Sequence, residues 1–159
     1  MTISIRPATP NDVPTVAFLI RALSQYEKLE HEVTMTEDRL RATMFGPRPY
    51  AEALLAEDAG KPVGFALFFH NYSTFLAQPG LYLEDLYVPE SHRGKGIGKS
   101  LLVQLAKIAV ERNCGRLEWA VLDWNVDAIG FYEKLGAKPN SEWTVYRLTG
   151  DSLNSLAGQ

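Results

Sequence analysis

Between Leu81 and Ala109 the chain passes from an apolar stretch, through a basic glycine loop, into an amphipathic helix, an order that few folds accommodate. Leu81 to Val88 is an apolar run interrupted only by Glu84-Asp85, and Arg93-Gly94-Lys95-Gly96-Ile97-Gly98-Lys99-Ser100 follows it. From Gly98 onward Leu101, Leu102, Leu105, Ile108 and Ala109 recur with the period of a helix that lies on a sheet. A strand that turns through glycines into a helix presents consecutive main-chain N–H groups at the helix start, where a phosphate is held. The glycines let the backbone approach a phosphate without a Cβ in the way. The helix end contributes about half a positive charge, and Arg93, Lys95 and Lys99 add cations.

The remainder of the chain supplies a sheet for this unit. Ile3 and Ile5 alternate with Ser4 and Arg6 as in a short first strand, and Asn11 and Asp12 offer a helix N-cap ahead of Val13-Pro14. Val13, Val16, Ala17, Ile20 and Leu23 then keep helical spacing. A second helix starts near Thr36, carries Leu40 and Met44, and ends at Gly46-Pro47. Ala53 to Ala56 and Val63 to Phe69 read as strands about the turn Asp58-Ala59-Gly60-Lys61. Past the glycine-loop helix, which Asn113-Cys114-Gly115 ends, Leu117 to Leu122 reads as a strand. Asp127 to Leu135 reads as a short helix closed by Gly136, and Trp143 to Leu148 as a last strand. Strands with helices inserted between some of them predict an α/β or α+β domain with a central mixed, twisted sheet flanked by helices.

At 159 residues the chain has the size of one domain, long enough to bury roughly 68–70% of its unfolded surface, so residues 1–159 are expected to form a single unit. Hydrophobic content of 46% without a low-complexity run excludes a disordered or fibrous chain. A net charge of −3 argues against a nucleic-acid partner and leaves room for a cationic one. Cys114 is the only cysteine, which rules out an intrachain disulfide, and the start MTISIRPATPNDV lacks the apolar core of a signal peptide, so a cytoplasmic protein is expected. The apolar run Val16 to Ile20 is far short of the ~20 residues of a membrane span, so no membrane is expected. His31, His70 and His92 are scattered without metal-ligand spacing, so no metal is expected. Cys114 has no recognisable activating neighbour, and Trp119, Trp124 and Trp143 read as core or dimer-surface residues.

Spacing separates the phosphate motifs that compete for the loop. A Walker loop needs a glycine at the position of Arg93, and the dinucleotide fingerprint fails because its third glycine arrives one residue early. Arg93, Gly96 and Gly98 fit the Arg/Gln-x-x-Gly-x-Gly/Ala pattern of acetyl-CoA-dependent acyltransferases. Ile5-Arg6-Pro7-Ala8-Thr9, Gln25-Tyr26-Glu27, Gly64-Phe65-Ala66, Tyr82-Leu83-Glu84-Asp85, the loop itself, Trp124-Asn125 and Phe131-Tyr132 stand in the same order as in one family. Along essentially its whole length the chain resembles the GNAT acetyltransferase superfamily, and within it the spermidine/spermine and thialysine acetyltransferases.

That resemblance implies a GNAT fold and acetyl-CoA as cosubstrate. The diphosphate would be held by Arg93, Gly94, Lys95, Gly96, Ile97, Gly98 and Lys99, and the pantetheine arm would pair with backbone at Leu86, Tyr87 and Val88. By the same likeness the Val88 N–H polarises the thioester, Asn125 helps hold the cofactor, and Tyr26, Glu27, Glu84 and Asp85 form the amine site. The family is commonly dimeric, so a homodimer is implied.

An alkylamine of pKa near ~10.4 is almost wholly protonated at neutral pH and must lose a proton before nitrogen attacks. Glu84 is the candidate base, acting through water or directly, and Tyr132 the candidate acid for the leaving thiolate. From Ser24 to Asp38 the acids Glu27, Glu30, Glu32, Glu37 and Asp38 face one lysine, Lys28, a field that attracts a polyamine, a diamine or a basic amino acid. Tyr26 is placed to pack the methylenes of such a substrate and Glu27 to pair with its ammonium. The chain departs from the polyamine enzymes near its end. Where they carry a further Glu and a Trp, Thr144 and Tyr146 precede Arg147, which weakens the case for a long polyamine; Glu142 is a displaced substitute. Two alternatives stand beside a small-amine acetyltransferase: a non-catalytic acetyl-CoA sensor, and a protein N-acetyltransferase with an open peptide groove.

Overall fold

The computed structural model describes residues 1–159, which divide into two compact units, Met1–Ala120 and Val121–Gln159. The first unit is built on five strands: β1 (Ile3–Pro7), β2 (Glu52–Asp58), β3 (Lys61–Ser73), β4 (Gln78–Tyr87) and β5 (Leu117–Trp119). They lie in chain order across the sheet. The first four are antiparallel, and β5 runs parallel to β4, giving the expected mixed sheet.

Helices α1 (Val13–Tyr26) and α2 (Glu37–Met44) cover one face, where Val13, Val16, Ala17, Leu19, Leu40 and Met44 pack with Ala53, Leu55, Phe65 and Leu67. The alternate residues Leu54, Ala66 and Phe68 point to the other face, where α3 (Ile97–Glu111) buries Ile97, Leu101, Leu102, Leu105 and Ala109. Being covered on both faces, β3 is buried without interruption from Val63 to Phe68. Truncating Phe65 or Phe68 to Ala in such a core costs about 3–5 kcal/mol.

Local chemistry explains most element ends. The Thr36 hydroxyl accepts from the Arg39 N–H and starts α2, and Ala59 and Gly60, both at positive φ, turn β2 into β3. Asp12 behaves differently from expectation. Its side chain does not cap α1: it accepts the Thr9 N–H at 2.7 Å and pairs with Arg6 at 2.8 Å, closing a short helical turn over Pro10–Asp12. The Arg6 guanidinium holds the Asp12 carboxyl well below the usual range.

In the second unit α4 (Val126–Lys134) is followed by Gly136 at positive φ, as expected. Two strand expectations are corrected. The strand read over Leu117 to Leu122 stops at Trp119, and Trp143 to Leu148 forms no strand. Val121–Gln159 contains no strand to pair with the latter, so its alternating pattern has no ladder to join. Trp143, Val145 and Tyr146 stand 75%, 89% and 92% exposed. A further helix not foreseen, α5 (Gly150–Ala157), closes the chain behind Thr149.

Candidate active site

The loop that joins β4 to α3 is shaped by two glycines. Gly94 and Gly96 have φ of +75° and +81°, the left-handed region that side chains disfavour, and a Cβ on either would meet open space. Glycine is therefore needed here for its conformation and not for want of room. Ile97, 2% exposed, anchors the loop in the core under α3. The first-turn N–H groups of α3 have no acceptor within the helix, whose first bond runs from the Ser100 N–H to the Gly96 carbonyl. Lys95 donates to the Ser91 carbonyl at 3.3 Å, and Lys99 is exposed. An open, amide-lined turn with two lysines suits the diphosphate of a coenzyme A. Arg93 makes contacts of its own at the base of the loop. Its Nε donates to the Val88 carbonyl at 2.8 Å, and its guanidinium lies 4.3 Å over the Tyr26 ring and 5.8 Å from that of Tyr87.

Ahead of the loop the sheet opens. β3 pairs with β4 as far as Tyr87, opposite Phe65, but β5 reaches only Leu81 to Leu83. From Glu84 to Tyr87 one edge of β4 has no neighbouring strand. The main chain at Leu86 and Tyr87 is therefore bonded to β3 on one side and has no strand on the other.

A bulge decides where the acids go. Phe68 pairs with Leu83 and Leu67 with Asp85, which leaves Glu84 with no residue opposite. Cross-strand partners share a face, so Tyr82, opposite Phe69, and Asp85, opposite Leu67, both lie on the α1 side. In an unbroken strand Asp85 would share the α3 face with Leu83. The bulge thus sets Glu84 and Asp85 together on the side where α1 ends in Tyr26 and Glu27, and it explains two acids in a core strand.

Their surroundings differ. Glu84 is exposed, whereas Asp85 is mostly buried, and no hydrogen bond from the protein supports its charge. Burial above all, then the carboxylates of Glu84 and Glu27, push Asp85 up to about 7. Burial also raises Glu27 at the end of α1. Tyr82, raised by burial and then by Glu84 and Glu118, joins the same acidic field, and its ring lies 5.2 Å from that of Phe69. The Tyr26 and Tyr87 rings stand 6.5 Å apart. Of the acid run after α1 only Glu27 acts on Asp85. Glu30, Glu32, Glu37 and Asp38 lie exposed on a short turn and on the first turn of α2, with Glu32 beside His31 at 3.5 Å.

In the second unit Asn125 is the N-cap of α4, its side chain accepting the Ala128 N–H at 3.3 Å. Tyr132 sits on that helix with its ring 5.5 Å from Phe131. Sequence reasoning missed Tyr82 and the stacking of Arg93 on Tyr26. Tyr82 had a usable signal, since it precedes Glu84 by two on a strand; the Arg93 contact joins distant segments and had none. Neither the histidines nor Cys114 belongs to a group of three side chains able to hold a metal ion, and no helix is long and apolar enough to cross a membrane.

The model of the acetyltransferase (GNAT) family matches residues 17–137. The thialysine N-epsilon-acetyltransferase of Bos taurus is 38% identical over 168 residues, covering 99% of this chain and 98% of the relative. The L-ornithine N5-acetyltransferase NATA1 of Arabidopsis thaliana is 37% identical over 197 residues, covering 96% and 86%. Among solved structures, an integron cassette protein from the mobile metagenome of V. cholerae superposes with a TM-score of 0.84 at 30% identity, covering 100% of this chain and 99% of that one.

Proposed function

The chain belongs to the GNAT acetyltransferase family and is an acetyltransferase, and from that premise we propose that it moves the acetyl group of acetyl-CoA directly onto a primary amine of a small cationic molecule. The favoured acceptors are basic amino acids of the thialysine or ornithine kind, then diamines and short polyamines, in keeping with the acceptors named for its relatives. One observation carries the choice of a cation. Glu27, Glu84 and a partly buried Asp85 without a donor of its own gather where β4 loses its β5 neighbour. A partner bearing a positive charge is what this arrangement lacks.

In this reading main-chain amides between Gly94 and Lys99 hold the diphosphate, with Lys95 and Lys99 screening its charge. The free edge at Leu86, Tyr87 and Val88 takes the pantetheine arm, and the Val88 N–H polarises the thioester carbonyl. Glu27, Glu84 and Asp85 hold the ammonium, and one of the last two takes its proton; the family likeness favours Glu84. Tyr132 is proposed as the acid for the departing thiolate, and Asn125 as a cofactor contact, on the family pattern alone. A single acetyltransferase domain over residues 1–159 is supported by relatives that align over nearly the whole chain. A homodimer is proposed to cover the apolar segment at Trp143 to Tyr146, and a cytoplasmic setting is in keeping with the lone Cys114.

The test is acetyl-CoA consumption with thialysine, ornithine, lysine, putrescine, spermidine, spermine and a peptide panel. Turnover of the small amines is expected. Coenzyme binding without turnover of any acceptor supports a sensor instead, and turnover of peptides alone a protein acetyltransferase. Tyr132→Phe is expected to lower kcat by about 10²-fold while the acetyl-CoA Kd stays within about twofold; an equal turnover removes its acid role.

A further inference from the structure

Resting on the amine-acetyltransferase reading above, we infer that Asp85, rather than Glu84, takes the proton from the substrate's ammonium, and that Glu84 hands it on to solvent. The bulge is the ground for this. Glu84 is the extra residue of the ladder, opposite nothing and exposed, while Asp85, next to it, is mostly buried and pairs with Leu67 where the regular ladder to Tyr87 begins. A base gains proton affinity where water is thinned around it, and of the two acids only Asp85 is so placed. Its neighbours within Met1–Ala120 come from three elements and the loop. Glu84, Tyr82 and Tyr87 accompany it on β4, Tyr26 and Glu27 stand at the end of α1, Leu67 on β3 is neutral, and the Arg93 guanidinium is engaged by Val88 and the Tyr26 ring. Two carboxylates and burial keep the proton affinity of Asp85 high, with its pKa about 7.

The ammonium gives one proton to the Asp85 carboxylate, and the freed lone pair forms the C–N bond at the thioester carbonyl as the C–S bond breaks. The second nitrogen proton ends on the thiolate sulfur, giving the free thiol. The proton on Asp85 leaves through Glu84 and water, so each turnover releases one proton.

The experiment is the pH profile of kcat/KM for the best acceptor, read on wild type, Asp85→Asn and Glu84→Gln, with 13C-carboxyl NMR to titrate Asp85 directly. Wild type should lose rate below a pH near that of the Asp85 titration, about 7. Asp85→Asn should lose about 10²–10⁴-fold at pH 7 and recover above pH ~9, where the amine deprotonates on its own. Glu84→Gln should cost less than about tenfold and move the acid limb to lower pH, because a neighbouring negative charge has gone. An Asp85→Asn enzyme with the wild-type profile, or a Glu84→Gln enzyme without an acid limb, overturns the assignment while leaving the acetyltransferase reading intact. Wild type that acetylates no amine overturns both.

Discussion

β4 ends in two kinds of material. Toward α3 the chain presents main-chain amides, shaped by Gly94 and Gly96 and fixed by the buried Ile97; toward α1 it presents side-chain charge, gathered by a bulge from Glu84, Asp85 and Glu27. In the proposed reading the first is the donor end and the second the acceptor end, and the donor end depends on local conformation and is nearly indifferent to pH. The acceptor end depends on burial and on neighbouring charges, so it titrates. If that division is right, substitutions at one end should leave the measurable signature of the other untouched.

The largest expected effect is on the pH dependence of stability. With Asp85 at about 7 in the folded protein and near its ordinary 3.8 when unfolded, the folded form keeps a proton between pH 4 and 7 that the unfolded chain has lost. Stability therefore falls as pH rises through that window and levels off above it. Asp85→Asn removes the loss. The variant should be more stable than wild type above pH 7, on the order of 4 kcal/mol and roughly ten degrees in Tm, with the two curves meeting near pH 4 in thermal melts. A wild-type Tm flat from pH 4 to 8 would contradict the burial argument at the acceptor end.

Next comes the donor end. Gly96→Val forces a β-branched residue to φ near +81°, at about 2 kcal/mol, and so should weaken acetyl-CoA binding about 30-fold by calorimetry. The same strain falls on the folded protein although a Cβ there meets no neighbour, so Tm should drop by a few degrees as well. The Asp85 titration in the same variant should stay near 7; a shift would mean that the two ends are not separately built.

Gly64→Ala tests the seam beneath them. Its Cβ would come within 3.1 Å of the Tyr87 carbonyl oxygen and 3.3 Å of Val88 and Ile97 side-chain carbons, pressing on the strand end and the loop anchor together. A cost of about 1 kcal/mol in denaturant melts is expected, with a few-fold weaker acetyl-CoA binding.

The same division explains what could be read from the amino-acid sequence. The donor end was legible because glycine spacing, loop charge and helix periodicity act within a dozen residues. The strand–loop–helix order and the core positions on α1, α2 and α3 were legible for the same reason. Glu84 and Asp85 could be named, with Glu84 as the candidate base, but their difference in burial comes from a one-residue slip against Leu67 and Phe68 that no local pattern announces. The acid run after α1 promised five charges, and the fold directs one of them, Glu27, at Asp85. Trp143 to Leu148 misled because alternation signals a strand only where a partner edge exists, and Val121–Gln159 supplies none.

The smallest effect concerns a contact that ties the two ends together. Arg93, counted from its sequence among the phosphate cations, also holds the Val88 carbonyl and lies over the Tyr26 ring, so it links the loop base to the C-terminal end of α1. An exposed cation–π contact is worth about 0.5–1 kcal/mol. In a double-mutant cycle of Arg93→Met and Tyr26→Leu, the coupling should appear at that size in kcat/KM for the amine, because both changes release the same helix end. For acetyl-CoA Kd the coupling should be close to zero, since Tyr26 has no part in holding the diphosphate. Coupling that instead appeared in acetyl-CoA Kd and faded with salt would return Arg93 to the phosphate, and the donor end would then own the residue that joins it to the acceptor.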